Sequence, residues 1–308
     1  MTSPAHSATA TGARTLDRSR FLSSMPPLIR LAFLVMTVLS LLAFLAPLIA
    51  PHGLTRQDLR SRLAPPLSFV RGEAHLLGAD NLGRDVFSRL LFGLRTTLAI
   101  AGLGVVIGAL TGTLAGLAGG SLGGRWDSGL MLLADAQASI PLTLLALTAV
   151  ALMGTSPLVL ILIVGIADFN KYARLVRGQV LIFKELTFVE AARALGASRP
   201  RIVFRHILPN IVSPLIVVAT INFSTIVILE SALSFLGVGV QPPHTSLGQM
   251  LGEARNYLIT TWWLAAIPGL AIVLITMSVS LIGDWLRDFF DPNLEPAGIG
   301  RSGPRPRP

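Results

Sequence analysis

The length of its apolar blocks constrains this chain more than any other feature. A helix needs about 20 consecutive, mostly apolar residues to cross the hydrocarbon core of a bilayer. Residues 27–50 supply such a run, with Arg30 as its only charge. Comparable blocks lie at about 96–118, 131–153, 157–168, 211–238 and 262–286. Charged residues make up 13% of the chain, against about 25% in soluble domains. The strand-length alternation of a membrane barrel does not occur in the sequence, and in lipid the helix is the other way to satisfy every backbone group. The fold class expected is an all-α integral membrane protein with about six transmembrane helices.

The blocks divide the chain. Residues 1–26, rich in Ser, Thr and Ala, are expected to form a disordered cytoplasmic tail; the apolar block after them exceeds the about 7–15 residues of a signal-peptide core. Residues 27–50 form the first span, 51–95 an extracytoplasmic loop with an amphipathic helix, and 96–292 a core of five further spans. The Gly-, Arg- and Pro-rich end, 293–308, is expected to be a second disordered tail. The turn Gly154-Thr155-Ser156-Pro157 makes spans three and four an antiparallel hairpin. With both termini cytoplasmic, 17 of the 25 Lys and Arg fall on the inner side, eight of them between Lys171 and Arg205. That agrees with the positive-inside rule, although the first outer loop also carries Arg56, Arg60, Arg62, Arg71, Arg84, Arg89 and Arg95.

Several functions are disfavoured. The net charge of +9 flanks spans instead of covering one soluble face, which argues against nucleic acid as a partner. There is no cysteine, hence neither disulfide nor thiolate chemistry. No G-x-x-x-x-G-K-[ST] loop is present to hold ATP, and no H-E-x-x-H motif marks an intramembrane metalloprotease. His52 and His75 share a loop, but two histidines without a third ligand are a weak metal site; exposed loop histidines are the expectation. A stand-alone secondary carrier would show internal repeats, which the sequence lacks.

The run FVEAARALGASRPRIVFRHILPN, 188–210, interrupts this oily text. Read as a helix, Phe188, Ala191, Ala192 and Leu195 form one apolar stripe at i, i+3, i+4 and i+7. Small residues at its centre let another surface approach the backbone. Gly196 stops the helix as a C′ glycine, Arg199, Arg201 and Arg205 hold the next stretch at the water boundary, and Pro209 suits the first turn of the following span. Amphipathicity alone leaves open whether this helix packs only on its own chain.

Glu190-Ala191-Ala192, Gly196 and Leu208-Pro209 resemble the EAA motif of bacterial ABC-importer permeases. Tyr172-Ala173-Arg174, Arg177-Gly178, Phe188-Val189 and His206-Ile207-Leu208-Pro209-Asn210 are similar to the dipeptide/oligopeptide/nickel permease family, with Phe169 where that family usually has Trp. Residues 77–89, LGADNLGRDVFSR, resemble the signature of its C-type subunit, with Ala79 in place of Thr. Asp135 with Pro141, ESALSFLG at 230–237 and GDWLRD at 283–288 extend the likeness over about 28–292.

The resemblance implies a short cytoplasmic coupling helix at about 186–197, between spans four and five. Phe188, Glu190, Ala191, Ala192, Leu195, Gly196 and Ala197 would contact an ATPase subunit there. It implies a second homologous permease chain, two ABC ATPase subunits and an extracytoplasmic peptide-binding protein as partners. This chain would bind no cofactor, with ATP and Mg on the ATPase subunits. Peptides are the expected cargo, and nickel, opines or sugars the alternatives.

Glu230, with Ser231 and Ser234, lies mid-span. A carboxylate at that depth marks a pore or gate by default, the alternative being a hydrogen-bonded packing residue. Asp135 and Asp168, nearer span ends, read as capping or interfacial groups. In the loop signature, Gly83, Arg84 and Asp85 are read structurally: Asp80 or Asp85 caps a helix whose face of Val86, Leu90, Leu91 and Leu94 lies on the membrane. Asp284, Arg287, Asp288 and Asp291 are spaced for ion pairs that steady the inner end of span six.

Overall fold

The computed structural model describes residues 25–70 and 73–290. The two expected tails lie outside these residues, except for Met25 and Pro26. Pro27 opens α1 (Pro27–Phe44) in the first turn, where its missing N–H costs nothing. A short α2 (Ala46–Ile49) follows. The next loop contains a small antiparallel hairpin, β1 (Ser68–Val70) and β2 (Glu73–His75), which pairs Ser68 with His75. Three-residue strands are too short for an alternation pattern to register, so the sequence did not announce them.

The axis of the molecule is α3 (Val86–Leu122), 37 residues long. At about 1.5 Å per residue it is about 55 Å in length, so it overreaches a hydrocarbon core of about 30 Å. Asp85 caps it by accepting the Ser88 N–H (2.8 Å) and O–H (2.7 Å). The cap is as expected, but the surroundings differ. Val86 packs with Met250, Ala254 and Leu264, and Leu91 and Leu94 are fully enclosed. The face expected to lie on lipid is covered by the chain's own later segments.

After α3 come α4 (Gly124–Ala138), α5 (Leu142–Met153), α6 (Pro157–Ala167) and α7 (Phe169–Phe183). The expected third span is not one helix: α4 and α5 are bent by 89° at the break before Leu142. Pro141 supplies the reason, since it disfavours helix at the residue before it. The expected fourth span is the 11-residue α6, about 16 Å long, which α7 prolongs beyond Asp168. Ser156 caps α6 through the Val159 N–H at 3.2 Å, and the 154–157 turn makes the expected hairpin. Among the described residues four helices are long and apolar enough to cross a membrane, or five if α4–α5 counts as one span.

Five glycines at four-residue spacing, Gly104 to Gly120, seat α3 against α6 and α7. A Cβ on Gly104 would stand 2.7 Å from Val164 Cγ2, one on Gly116 2.6 Å from the Ala173 carbonyl, and one on Gly120 2.7 Å from Val180 Cβ. Such a row of small residues lets two backbones approach closely inside a membrane, where association relies on packing more than on water exclusion.

The remaining elements are α8 (Thr187–Ala194), α9 (Arg199–Ile202), α10 (Leu208–Phe235), α11 (Leu247–Ala254) and α12 (Trp263–Phe290). A π-helical turn, Val203–Ile207, joins α9 to α10. Pro209 explains it: the ring has no N–H and crowds the carbonyl four residues back, and widening the preceding turn relieves both faults. The start of α3, α11 and the start of α12 share one end of the bundle. The end of α3, α8, α9 and the start of α10 share the other. Trp285 near the end of α12 meets Met25 and Ile29.

Candidate functional site

The end that carries α8 has the features of a contact surface. Val189 is fully buried among Leu117, Val176, Val180, Ile202, Ile207 and Ile211, and it pins the helix to α3, α7 and α10. Phe188 (41% exposed) and Leu195 (90% exposed) project outward, as do Glu190 and Ala191. The expected stripe is therefore split. Phe188, Ala191 and Leu195 face away from the chain, while Ala192 and Ala197 are half-buried against its core. Sequence reasoning missed Val189 as the anchor, because a stripe only one turn wide has no unique centre.

The helix ends abruptly. Gly196 takes φ +83°, its N–H reaches the Arg193 carbonyl (3.0 Å), and the Ala197 N–H reaches the Ala192 carbonyl (3.0 Å). That pair of bonds is the Schellman motif. A Cβ on Gly196 would meet nothing within 4 Å, so glycine is there for the backbone angle and not for space. Beneath α8 lies a cavity of about 420 Å³, bordered by Ser121, Lys184, Glu185, Arg193 and Arg199. Nearby, Arg177 on α7 forks onto Asp127 of α4 at 2.5 and 2.7 Å. That hydrogen bond holds the guanidinium above its ordinary pKa.

At the opposite end, charged groups form a closed joint. Arg84 donates to Asp80 and to Glu253 (both 2.6 Å), and Arg89 donates to the same two carboxylates (2.6 and 2.7 Å) and to Thr245 (3.3 Å). Two cations and two anions thus bind the 80–85 loop and α3 to α11. Gly83 sits at φ +70° with Asp58 backbone where a Cβ would go. His52 and His75 lie beside Asp85, with Nδ1 atoms at 3.9 and 3.5 Å from its oxygens. His75 is buried, which corrects the expectation of an exposed loop histidine.

Glu230 is wholly enclosed. Its carboxylate accepts the Thr97 hydroxyl (3.1 Å) and the Ser234 hydroxyl (2.7 Å). Those hydroxyls in turn accept the N–H groups of Leu247 (3.2 Å) and Val240 (3.1 Å). Gly248 of α11 presses on Ser231, and a Cβ there would lie 2.8 Å from the Ser231 carbonyl carbon. Glu230, Ser231 and Ser234 therefore meet in a joint between α3, α10 and α11, the hydrogen-bonded packing that the sequence left as the alternative to a pore or gate. Hydropathy could not show that a short helix at 247–254 returns to cover them. Asp284, Arg287 and Asp288 are exposed, and among the described residues no ion pair joins them; Asp291 lies outside those residues. The end of α12 is held instead by Trp285, stacked on Phe289 (5.4 Å) and edge-on to Phe33 (6.2 Å). Exposed pairs on flexible side chains gain too little to order themselves.

These features define a polytopic all-α membrane protein whose buried polar groups join helices and whose projecting helix offers a surface to another molecule. The chain belongs to the family of binding-protein-dependent transport system inner membrane components, whose model matches residues 104–296. It is 39% identical over 265 residues to the di/tripeptide transport system permease protein DppC of Pseudomonas aeruginosa, covering 86% of this chain and 88% of that one. It is 44% identical over 221 residues to the glutathione transport system permease protein GsiD of Escherichia coli O6:K15:H31, covering 72% and 73%. Among solved structures, an inward-facing form of the MetNI methionine ABC transporter shares the fold, with a TM-score of 0.52 at 22% identity over 64% of this chain and 94% of that one.

Proposed function

We propose that this chain is one of two permease subunits that enclose the translocation path of an ATP-driven importer of di- and oligopeptides. A binding protein outside the membrane delivers the peptide, and two separate ATPase subunits, which hold ATP and Mg, drive the cycle. The inner-membrane family and the peptide and glutathione permeases among its relatives support the cargo. The observation that carries the coupling role is α8, anchored by the buried Val189 while Phe188, Ala191 and Leu195 face outward. A helix clamped at one face and free at the other can pass a push from an ATPase subunit to α7 and α10 as a rigid-body tilt. This reading places the α8 end in the cytoplasm, together with the start of α1 and the end of α12.

The test is Ala191→Trp in the complete complex. Membrane insertion and abundance should match the parent, because Ala191 is helical and its side chain faces outward. Peptide uptake should fall at least tenfold, and ATPase subunits should no longer co-purify in full amount. Normal uptake at normal abundance would remove α8 from the coupling role.

A further inference from the structure

We propose that the cavity beneath α8 holds an anionic phospholipid, with the lipid phosphate on Lys184, Arg193 and Arg199 and its glycerol end on the apolar floor. The cavity, about 420 Å³, lies between the ends of α3 and α7, the inner face of α8 and the short α9. The inference is independent of the cargo and of what docks on the outer face of α8.

The charges on this wall do not balance. Three cations, Lys184, Arg193 and Arg199, stand against one carboxylate, Glu185. Lys184 is half-buried, and Arg193 and Arg199 are exposed. Among the described residues none of the three cations enters an ion pair. Asp127, which feels the charge of Lys184, is already taken by the fork of Arg177. The wall thus offers N–H donors and positive charge to an oxyanion, and guanidinium groups suit the geometry of phosphate. The floor has the opposite character. Val180, Val189, Ile202 and Ile207 border the same cavity and are buried. A free phosphate gains nothing from such a floor, whereas an amphipathic anion uses both parts.

Depth points the same way. The apolar block within α3 ends at about residue 118, and Ser121 and Leu122 on the cavity wall follow three and four residues later. At about 1.5 Å per residue that is about 5–6 Å beyond the hydrocarbon. The headgroup layer extends about 5–8 Å on each side of an about 30 Å core. The cations therefore stand at the level of lipid phosphates, and basic pockets between helices at that level bind anionic headgroups.

The chain has no cysteine, so Ser121→Cys, on the cavity wall, can report occupancy. The assembled complex, with cysteine-free partners, is placed in nanodiscs of phosphatidylcholine alone or with one-third phosphatidylglycerol, and treated with an uncharged maleimide. Phosphatidylglycerol should slow labelling several-fold. It should leave unchanged the labelling of Gly129→Cys, an exposed position on α4 outside the cavity. Adding Lys184→Gln and Arg193→Gln to Ser121→Cys should abolish the protection. Millimolar glycerol 3-phosphate in the phosphatidylcholine discs should give none. Equal labelling of Ser121→Cys in both discs overturns the site, as does equal slowing at Gly129→Cys, which would be an effect of the whole membrane. Protection that survives loss of the two cations also overturns it. Protection by glycerol 3-phosphate would make the ligand a free phosphate and not a lipid. A thiol at 121 that reacts only after denaturation would mean that a partner subunit closes the cavity, and would equally end the proposal.

Discussion

Gly112 shows how much one missing methyl group decides here. A Cβ at this position would stand 3.0 Å from the Ala173 nitrogen and closer still to Tyr172, so Gly112→Val must push α3 off α7. Overpacking of this kind costs about 1–3 kcal/mol. A clear drop in the thermal midpoint of the detergent-solubilised protein is expected, whereas Gly129→Ala, where a Cβ meets nothing within 4 Å, should leave it unchanged. The four-residue spacing of these glycines stands in the sequence, but which helix they receive does not. Glu230 makes the complementary point. Its place at mid-span was readable, while its partners Thr97 and Ser234 lie 133 and 4 residues away, and the two N–H groups behind them belong to a segment with no motif.

The helix α8 separates two roles that its stripe had merged. Val189 holds the helix to the chain, and Leu195 holds nothing within it. Val189→Asp buries an unpaired charge and should unseat α8, lowering both stability and uptake. Leu195→Ala should leave the thermal midpoint within the about 0.5 kcal/mol range of surface changes yet reduce peptide-stimulated ATP hydrolysis by the complex. Equal effects of the two on stability would contradict the split. The breaks in α4–α5 and α6–α7 teach the same lesson at greater length. Pro141 accounts for one of them, although a single span was expected to run through it. The other, at Asp168, carries no proline or glycine and is visible only from its packing.

The bundle as assembled has two unlike ends. One is closed by the Arg84–Arg89–Asp80–Glu253 joint, the other presents α8 above a polar hollow. If the α8 end faces the cytoplasm, a membrane-impermeant maleimide applied to intact cells should label Gln57→Cys and spare Leu195→Cys, both positions being exposed. Labelling of the second from outside would reverse the orientation.

Hydropathy, proline and glycine positions and the motif at 188–210 were enough for the all-α membrane class, the helix stop at Gly196 and the family likeness, because these depend on local propensity and on solvent transfer. The bend between α4 and α5, the covering of the Val86–Leu94 face, the enclosure of Glu230 and the burial of Asp168 came only with the packed structure. Each depends on which distant segment arrives at a given surface, and the transfer energy of a residue is the same whether lipid, its own chain or a ligand lies across from it.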